Sequence, residues 1–343
     1  MILSALLALT LLSTGCGSGS DEDGDGGTPP YPGVGAGGEV RGERRFSTIM
    51  SGLRQGQVRQ TPWAGYWFPY STDGIDRAAS KYESASGRSG AASWERSHHG
   101  SGVPGVQSWW GHCNGWAAAA VLFAEPRSSR SVEGVDFGVG DQKALLSEIS
   151  MEVSATFFGR RHDGGNSSRD ESFRDVHPNQ FFLVLTNYVG RGMPIIIDRY
   201  TGNQVWNHPV IGYRAKAFED SDYLGPAPDQ PNVHRVNSEL TVWWGRDDVP
   251  ADKLTDAFDF ADNASFESRT LRMELWLDGP PSSGRVLLAR EGNSVLGGAW
   301  RNGNIETPNS HPDYIWVVDG VRPSSGYSNT QIDPAWVQSR FGR

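Results

Sequence analysis

One run constrains this chain more than any other: Trp109-Trp110-Gly111-His112-Cys113-Asn114-Gly115-Trp116, continued by Ala117 to Ala120. A thiol follows a tight aromatic turn and opens an alanine-rich helix. The start of a helix carries partial positive charge and unpaired N–H groups. Both favour a thiolate and lower the cysteine pKa. The same N–H groups can hold an oxyanion as a carbonyl is attacked. Cys113 is therefore a candidate nucleophile. The competing reading is a buried structural cysteine, since free cysteine is among the most buried residue types.

The 343 residues suffice for one large domain or two ordinary ones with an ample core. Forty-three glycines and twenty prolines imply many turns. Net charge is −9, and the first 40 residues supply five acids and no Lys or Arg. The remainder is nearly balanced and has no basic stripe, which argues against nucleic acid as a partner. Thirteen tryptophans suit either core packing or aromatic faces at a cleft, including faces that stack on sugars.

Met1 to Leu12 is almost wholly apolar, too short to span a bilayer, and reads as the apolar region of a signal peptide. It leads into Leu12-Ser13-Thr14-Gly15-Cys16, followed by Gly, Ser and acidic residues. That pattern resembles a bacterial lipoprotein signal. The expectation is a signal peptide over 1–15, lipid on Cys16, a flexible tether over 16–40 and one domain over 41–343. The protein would then be exported and lipid-anchored at the bacterial cell envelope, the outer membrane first, or otherwise secreted. Cys16 and Cys113 lie in such different contexts that no disulfide is expected. An unpaired Cys113 in an exported protein calls for a reason, and catalysis is one.

Residues 45–112 read as an irregular aromatic segment punctuated by Gly and Ser. Asn114 to Ala124 reads as a helix stopped by Glu125-Pro126, Asp141 to Val153 as a second, and Pro178 to Val189 as a third with glycines after it. His162 to Asp175 reads as a loop. Strands are expected at Pro194–Asp198, Gln204–Phe218, Val233–Trp244, Leu271–Leu277, Val286–Ala289 and Val295–Trp300, with a turn at 200–203. Helices first and sheet later give an α+β class with an antiparallel sheet.

A cysteine nucleophile needs a base. His208 is the best placed of the eight histidines, in Val205-Trp206-Asn207-His208-Pro209-Val210-Ile211-Gly212-Tyr213, just after the Asp198 hairpin. An imidazole on a central strand facing a cysteine at a helix start is the arrangement of papain-like enzymes. Gln107 precedes Cys113 by six residues, the spacing of their oxyanion-hole glutamine. Asp198 is the first choice for the group that holds the imidazole, subject to hairpin register. Asn237 and Glu239 are alternatives, while Asn207 points to the face opposite His208. His112 is expected to point away from Cys113. His98-His99 reads as solvated loop, and no metal site is expected.

These residues resemble the transglutaminase elicitor family of oomycetes and its bacterial relatives. Val205–Tyr213 looks like the plant-defence peptide of the oomycete members, which carries Gln where His208 stands. Cys113-Asn114-Gly115-Trp116-Ala117 matches the family's Cys-x-x-Trp-Ala segment, and Glu125-Pro126 closes the helix similarly. Segments near Pro62–Pro69, Val295–Trp300 and His311–Trp316 extend the likeness over roughly 60–320. The resemblance implies a papain-like fold and protein-glutamine γ-glutamyltransferase chemistry. The expected site is Cys113, His208 and Asp198, with Gln107, Trp110 and Trp206 at the oxyanion or substrate. The expected partners are a protein or peptide glutamine donor and a primary amine, and no cofactor is implied apart from an undecided calcium dependence. The competing functions are a papain-like peptidase or amidase on cell-wall peptide, and a non-catalytic lipoprotein that binds surface glycan.

Overall fold

The computed structural model describes residues 40, 42–159, 176–199, 204–288, 298–301 and 311–342. The expected signal, the lipidated Cys16, the tether up to residue 39, the 162–175 loop and the 200–203 turn lie outside the described residues. In chain order the elements are α1 (Phe46–Gly52), β1 (Gln55–Gln57), α2 (Asp76–Ser86), α3 (Ala91–His98), α4 (Cys113–Leu122), β2 (Arg130–Val132), β3 (Val135–Phe137), α5 (Val139–Ile149) and β4 (Val153–Gly159). There follow α6 (Pro178–Asn187), β5 (Ile195–Asp198), β6 (Asn207–Ala215), β7 (Tyr223–Ala227), β8 (Gln230–Gly245), β9 (Phe266–Leu277), β10 (Ala299–Trp300), β11 (Tyr314–Val321) and α7 (Pro334–Phe341). The class is α+β, as expected. No helix among the described residues is long and apolar enough to cross a membrane.

One antiparallel sheet runs in the order β10-β9-β8-β6-β5-β11-β4, with β1 added on β6 and β7 on β8. Its centre is covered on both faces. Ile196, Val205, Tyr314 and Trp316 pack with the layer formed by α2, α4 and α5. Ile195, Ile197, Val210 and Ile315 pack with α1 and α6 on the other side. All four residues of β5 are buried. A strand buried on both faces has no solvent side, so Ile195-Ile196-Ile197 reads as a continuous apolar run instead of an alternation.

Helix α4 is buried from Cys113 to Ala120. A helix that is apolar all round must lie inside the protein. Its small residues allow close crossing with α5. A Cβ added at Gly115 would collide with the Ser147 carbonyl oxygen and lie 2.7 Å from Met151 Sδ.

Several expectations are corrected. The 45–112 segment holds three helices. The glycines punctuate them: Gly87 ends α2 at φ 72° and Gly90 precedes α3 at φ 95°. The buried stripe of α2 is Ala78, Ala79, Tyr82 and Ala85, three of them too small to stand out in the sequence. The helix expected to run to Val153 stops at Ile149, and Val153 opens β4. The strand expected at Val286–Ala289 is reduced to a bridge between Val286 and Leu277 among the described residues. Beyond the sheet, the Glu152 carboxylate accepts from the backbone N–H groups of Ser325, Tyr327 and Ser328 and ties the C-terminal stretch to the end of α5.

Gly115→Ala should lower unfolding free energy by roughly 1–3 kcal/mol, the cost of forcing extra volume into a close-packed contact. Urea denaturation measures it, and an unchanged midpoint would contradict the tight crossing of α4 and α5.

Candidate functional site

Cys113 is the first residue of α4 and has no exposed surface. It is held in a disulfide, contrary to the expectation of an unpaired thiol. Its Sγ lies 3.6 Å from the Val205 carbonyl oxygen and 4.0 Å from Asn207 Nδ2. The Asn207 amide is aimed from behind. Its Oδ1 accepts from Trp316 Nε1 at 3.0 Å and from the Tyr314 hydroxyl at 3.3 Å, so Nδ2 faces the sulfur.

Register decides what stands beside Asn207. Asp198 pairs with Asn207, and Ile197 pairs with His208. Residues opposite one another share a face of the sheet, and successive residues alternate. Asp198 is therefore on the Asn207 face, fully buried, with Oδ1 accepting from Trp206 N at 2.8 Å. His208 is brought elsewhere. Its Nδ1 lies 2.8 Å from the Gly245 carbonyl oxygen, and Nε2 is 3.7 Å from Asp247 Oδ2 and makes no hydrogen bond. Neither ring nitrogen of His208 is hydrogen-bonded to Cys113 or Asp198, and the ring meets Trp116 of α4 edge to face, with centroids 5.9 Å apart. Asp247, which the sequence reading did not consider, is the carboxylate facing the ring. The alternatives Asn237 and Glu239 sit further along β8, where Glu239 accepts from Arg272 Nε at 2.8 Å. Burial pushes the His208 pKa down, against the opposing pull of Asp247.

Gln107 is exposed and accepts from Trp109 Nε1 at 2.7 Å. Trp110 is 7% exposed and its buried Nε1 has no hydrogen-bond partner. Trp206 is half-buried and meets Trp67 edge to face, with ring centroids 5.5 Å apart. Trp67 lies against Gly111, where a Cβ would sit 2.5 Å from the ring, and its carbonyl accepts from His112 N at 2.6 Å. Trp67 thus joins Trp206 in an aromatic wall beside the residues that lead into α4.

Behind that turn lies a buried cluster of Glu95, His99, His112 and Glu148, whose facing atoms all lie within 4.8 Å of one another. His112 points away from Cys113, as expected, and into this cluster. His99 is buried, not solvated loop, because it caps α3. Only His98 is exposed, and it stacks on Trp94. The sequence signal was the Glu95–His99 spacing of four, which puts both on one helix face. It was hidden by the Gly and Ser around it. Burial alone would lower the His112 pKa, but Glu148 and Glu95 within hydrogen-bond reach raise it to about 10. Burial and the neighbouring Glu148 raise Glu95. Burial opposes ionisation of Glu148, yet the two imidazoles win and hold it low. These four residues are the ones among the described residues able to hold a metal ion.

The comparisons with known proteins agree with the family suggested by the sequence. The transglutaminase elicitor family model matches residues 78–224, which include Cys113, Asp198, Asn207 and His208. The fold is similar to that of the GP42 transglutaminase from Phytophthora sojae, with a TM-score of 0.59 and 19% identity over 88% of this chain and 98% of that one. No curated protein matches in sequence. The resemblance to the transglutaminase elicitor family is borne out.

The lowered His208 pKa has a stability consequence. Where the folded pKa lies below the unfolded value near 6.5, the unfolded chain binds more protons as pH falls. The contribution of neutral His208 is full above about pH 6.5 and is lost on acidification towards the folded pKa. His208→Gln, the residue of the oomycete peptide, should flatten the dependence of unfolding free energy on pH over that range. Parallel wild-type and variant curves would refute the assignment.

Proposed function

We propose that the protein is a cysteine-dependent acyltransferase of the transglutaminase type. The reduced Cys113 thiolate attacks the carboxamide carbon of a peptide-bound glutamine. A C–S bond forms, the C–N bond breaks, and ammonia leaves with a proton from an acid. A primary amine then attacks the thioester, C–N replaces C–S, and an isopeptide bond results. If water attacks instead, the outcome is deamidation. One observation carries this reading: the sulfur lies at the start of α4 beside an amide fixed by two other side chains. Two groups are suited to a developing oxyanion, Asn207 Nδ2 beside the sulfur and the unpartnered indole N–H of Trp110. The aromatic wall of Trp67 and Trp206 would exclude water and favour the amine.

The acid–base role moves in this proposal from His208 to Asp198, because Asp198 pairs with Asn207 across β5 and β6 while neither ring nitrogen of His208 is hydrogen-bonded to Cys113. His208 becomes a positioning residue that anchors β6 to the end of β8 through Gly245. Gln107, hydrogen-bonded to Trp109 and exposed, is left at the rim. Lipid anchoring through Cys16, and with it a location at the cell envelope, is proposed for the state with Cys113 reduced, since a chain with two cysteines cannot carry both an intrachain disulfide and a lipid on Cys16, and mass spectrometry of the exported protein separates the two.

The complete burial of Cys113 and its disulfide favour a second reading, a surface protein without catalysis. One assay separates the two. The protein is reduced and incubated with a fluorescent primary amine and a glutamine-rich protein. Amine incorporation that disappears in Cys113→Ala supports acyl transfer. A sulfur that stays inert to iodoacetamide after reduction, with no incorporation, supports the second reading. Release of new amino termini without incorporation identifies a peptidase.

Within the acyltransferase reading, Trp110→Phe removes one oxyanion donor and should lower kcat by about 10²–10³. Asp198→Asn should cost about 10²–10⁴. His208→Gln should retain most activity. A collapse with His208→Gln and normal turnover with Asp198→Asn would reverse the assignment.

A further inference from the structure

We infer that Glu95, His99, His112 and Glu148 form a binding site for one divalent transition-metal ion of the zinc class, and that this ion fixes the turn that delivers Cys113. The inference is independent of acyl transfer.

The four inward atoms are Glu95 Oε2, His99 Nδ1, His112 Nε2 and Glu148 Oε2. His112 Nε2 lies 2.9 Å from Glu148 Oε2 and 3.5 Å from Glu95 Oε2. His99 Nδ1 lies 3.4 Å and 3.9 Å from the same two oxygens. Ligands about 2.0–2.2 Å from a tetrahedral zinc ion stand roughly 3.3–3.6 Å apart, so these separations bracket that geometry. Small movements of side chains would complete it.

A second observation points to a ligand. His112 and Glu95 have no exposed surface, and His112 Nε2 and Glu95 Oε2 make no hydrogen bond of good geometry, His112 Nε2 meeting Glu148 Oε2 at 2.9 Å as an ion pair only. Unsatisfied buried polar atoms are costly and call for a partner. The outward atoms of His112, Glu95 and Glu148, by contrast, are tied. His112 Nδ1 lies 3.0 Å from the Phe68 carbonyl oxygen, which leaves the Nε2 lone pair facing inward. Glu95 Oε1 accepts from Asn329 Nδ2 at 2.8 Å and Glu148 Oε1 from Asn329 N at 2.6 Å. Outer contacts of this kind orient metal ligands.

Charge and chemistry narrow the ion. Neither carboxylate has a lysine or arginine partner among the described residues, and without an ion their counter-charge is the imidazole of His112. A divalent ion would take over that role with both imidazoles neutral. Two imidazoles and two carboxylates suit zinc and its neighbours. Calcium takes six to eight oxygens and fits poorly. With four protein ligands and no solvent exposure, the site is closed, which is the mark of a structural ion. It would join α3, α5 and the residue immediately before Cys113.

The test uses the full chain purified without chelators. Elemental analysis should find one equivalent of a transition metal per chain. Replacement with cobalt should give the intense visible bands of a tetrahedral Co²⁺ centre. A strong chelator should lower Tm, and added zinc should restore it. Glu148→Gln should lose the metal. Should that variant not fold, Asn329→Ala keeps all four ligands and loses one outer hydrogen bond, and it should bind zinc about 10–100-fold more weakly. Metal-free protein that takes up neither zinc nor cobalt and shows no Tm response overturns the inference. It would leave the His112 imidazole as the counter-charge of the two carboxylates. That result leaves amine incorporation untouched, so the two proposals fail separately.

Discussion

The molecule depends on the burial of α4 on every side. A helix with no solvent face must be met by other elements all round, and each of them then acquires a fixed place. The close crossing at Gly115 sets α5 against it. The central strands of the sheet supply the opposite wall, with Asn207, Tyr314 and Trp316 aligned beneath the first turn. Because α4 starts at Cys113, whatever locates the helix also locates the sulfur. The sulfur's surroundings are a by-product of core packing, which explains how the Asn207 amide can be held 4.0 Å from it by two strands of the sheet.

The pleat of β6 divides the labour between neighbours. Asn207 and His208 are adjacent in the chain and meet different environments. One sees the sulfur and two hydroxyl or indole donors, and the other sees the backbone of β8 and Asp247. A strand can therefore present adjacent side chains to two different environments without a break in regularity. This also accounts for a Gln in the oomycete peptide at the position of His208. A side chain whose visible role is a hydrogen bond to a carbonyl can be replaced by another donor.

Much of the architecture was legible. The alanine-rich helix, the Ile-rich strand and the long strand of Val233–Trp244 announced themselves through composition and periodicity. The family's motifs lay in runs of adjacent residues. What was not legible depended on long-range choices. The face of Asp198 turned on a register that one residue decides, and that register sets it opposite Asn207. Asp247 lies in a connection after β8, where no local pattern marks it. The Glu95–His112–Glu148 cluster draws on segments well separated in the chain, and one of the helices involved, α3, was concealed by small and polar side chains. A disulfide at Cys113 was equally invisible, since residue context says little about distance in space.

The last stretch of the chain is more than a trailing end. Glu148 in the last turn of α5 and Glu152 just beyond its end take hold of the backbone from Ser325 to Asn329. Asn329 then bridges back to Glu95 on α3. The fold is thus buckled by its own tail, and the buckle fastens directly beneath the turn that leads to Cys113. Clipping the chain a few residues upstream of this stretch, or straining it with a bulky fusion, would slacken the innermost part of the molecule from its outermost end.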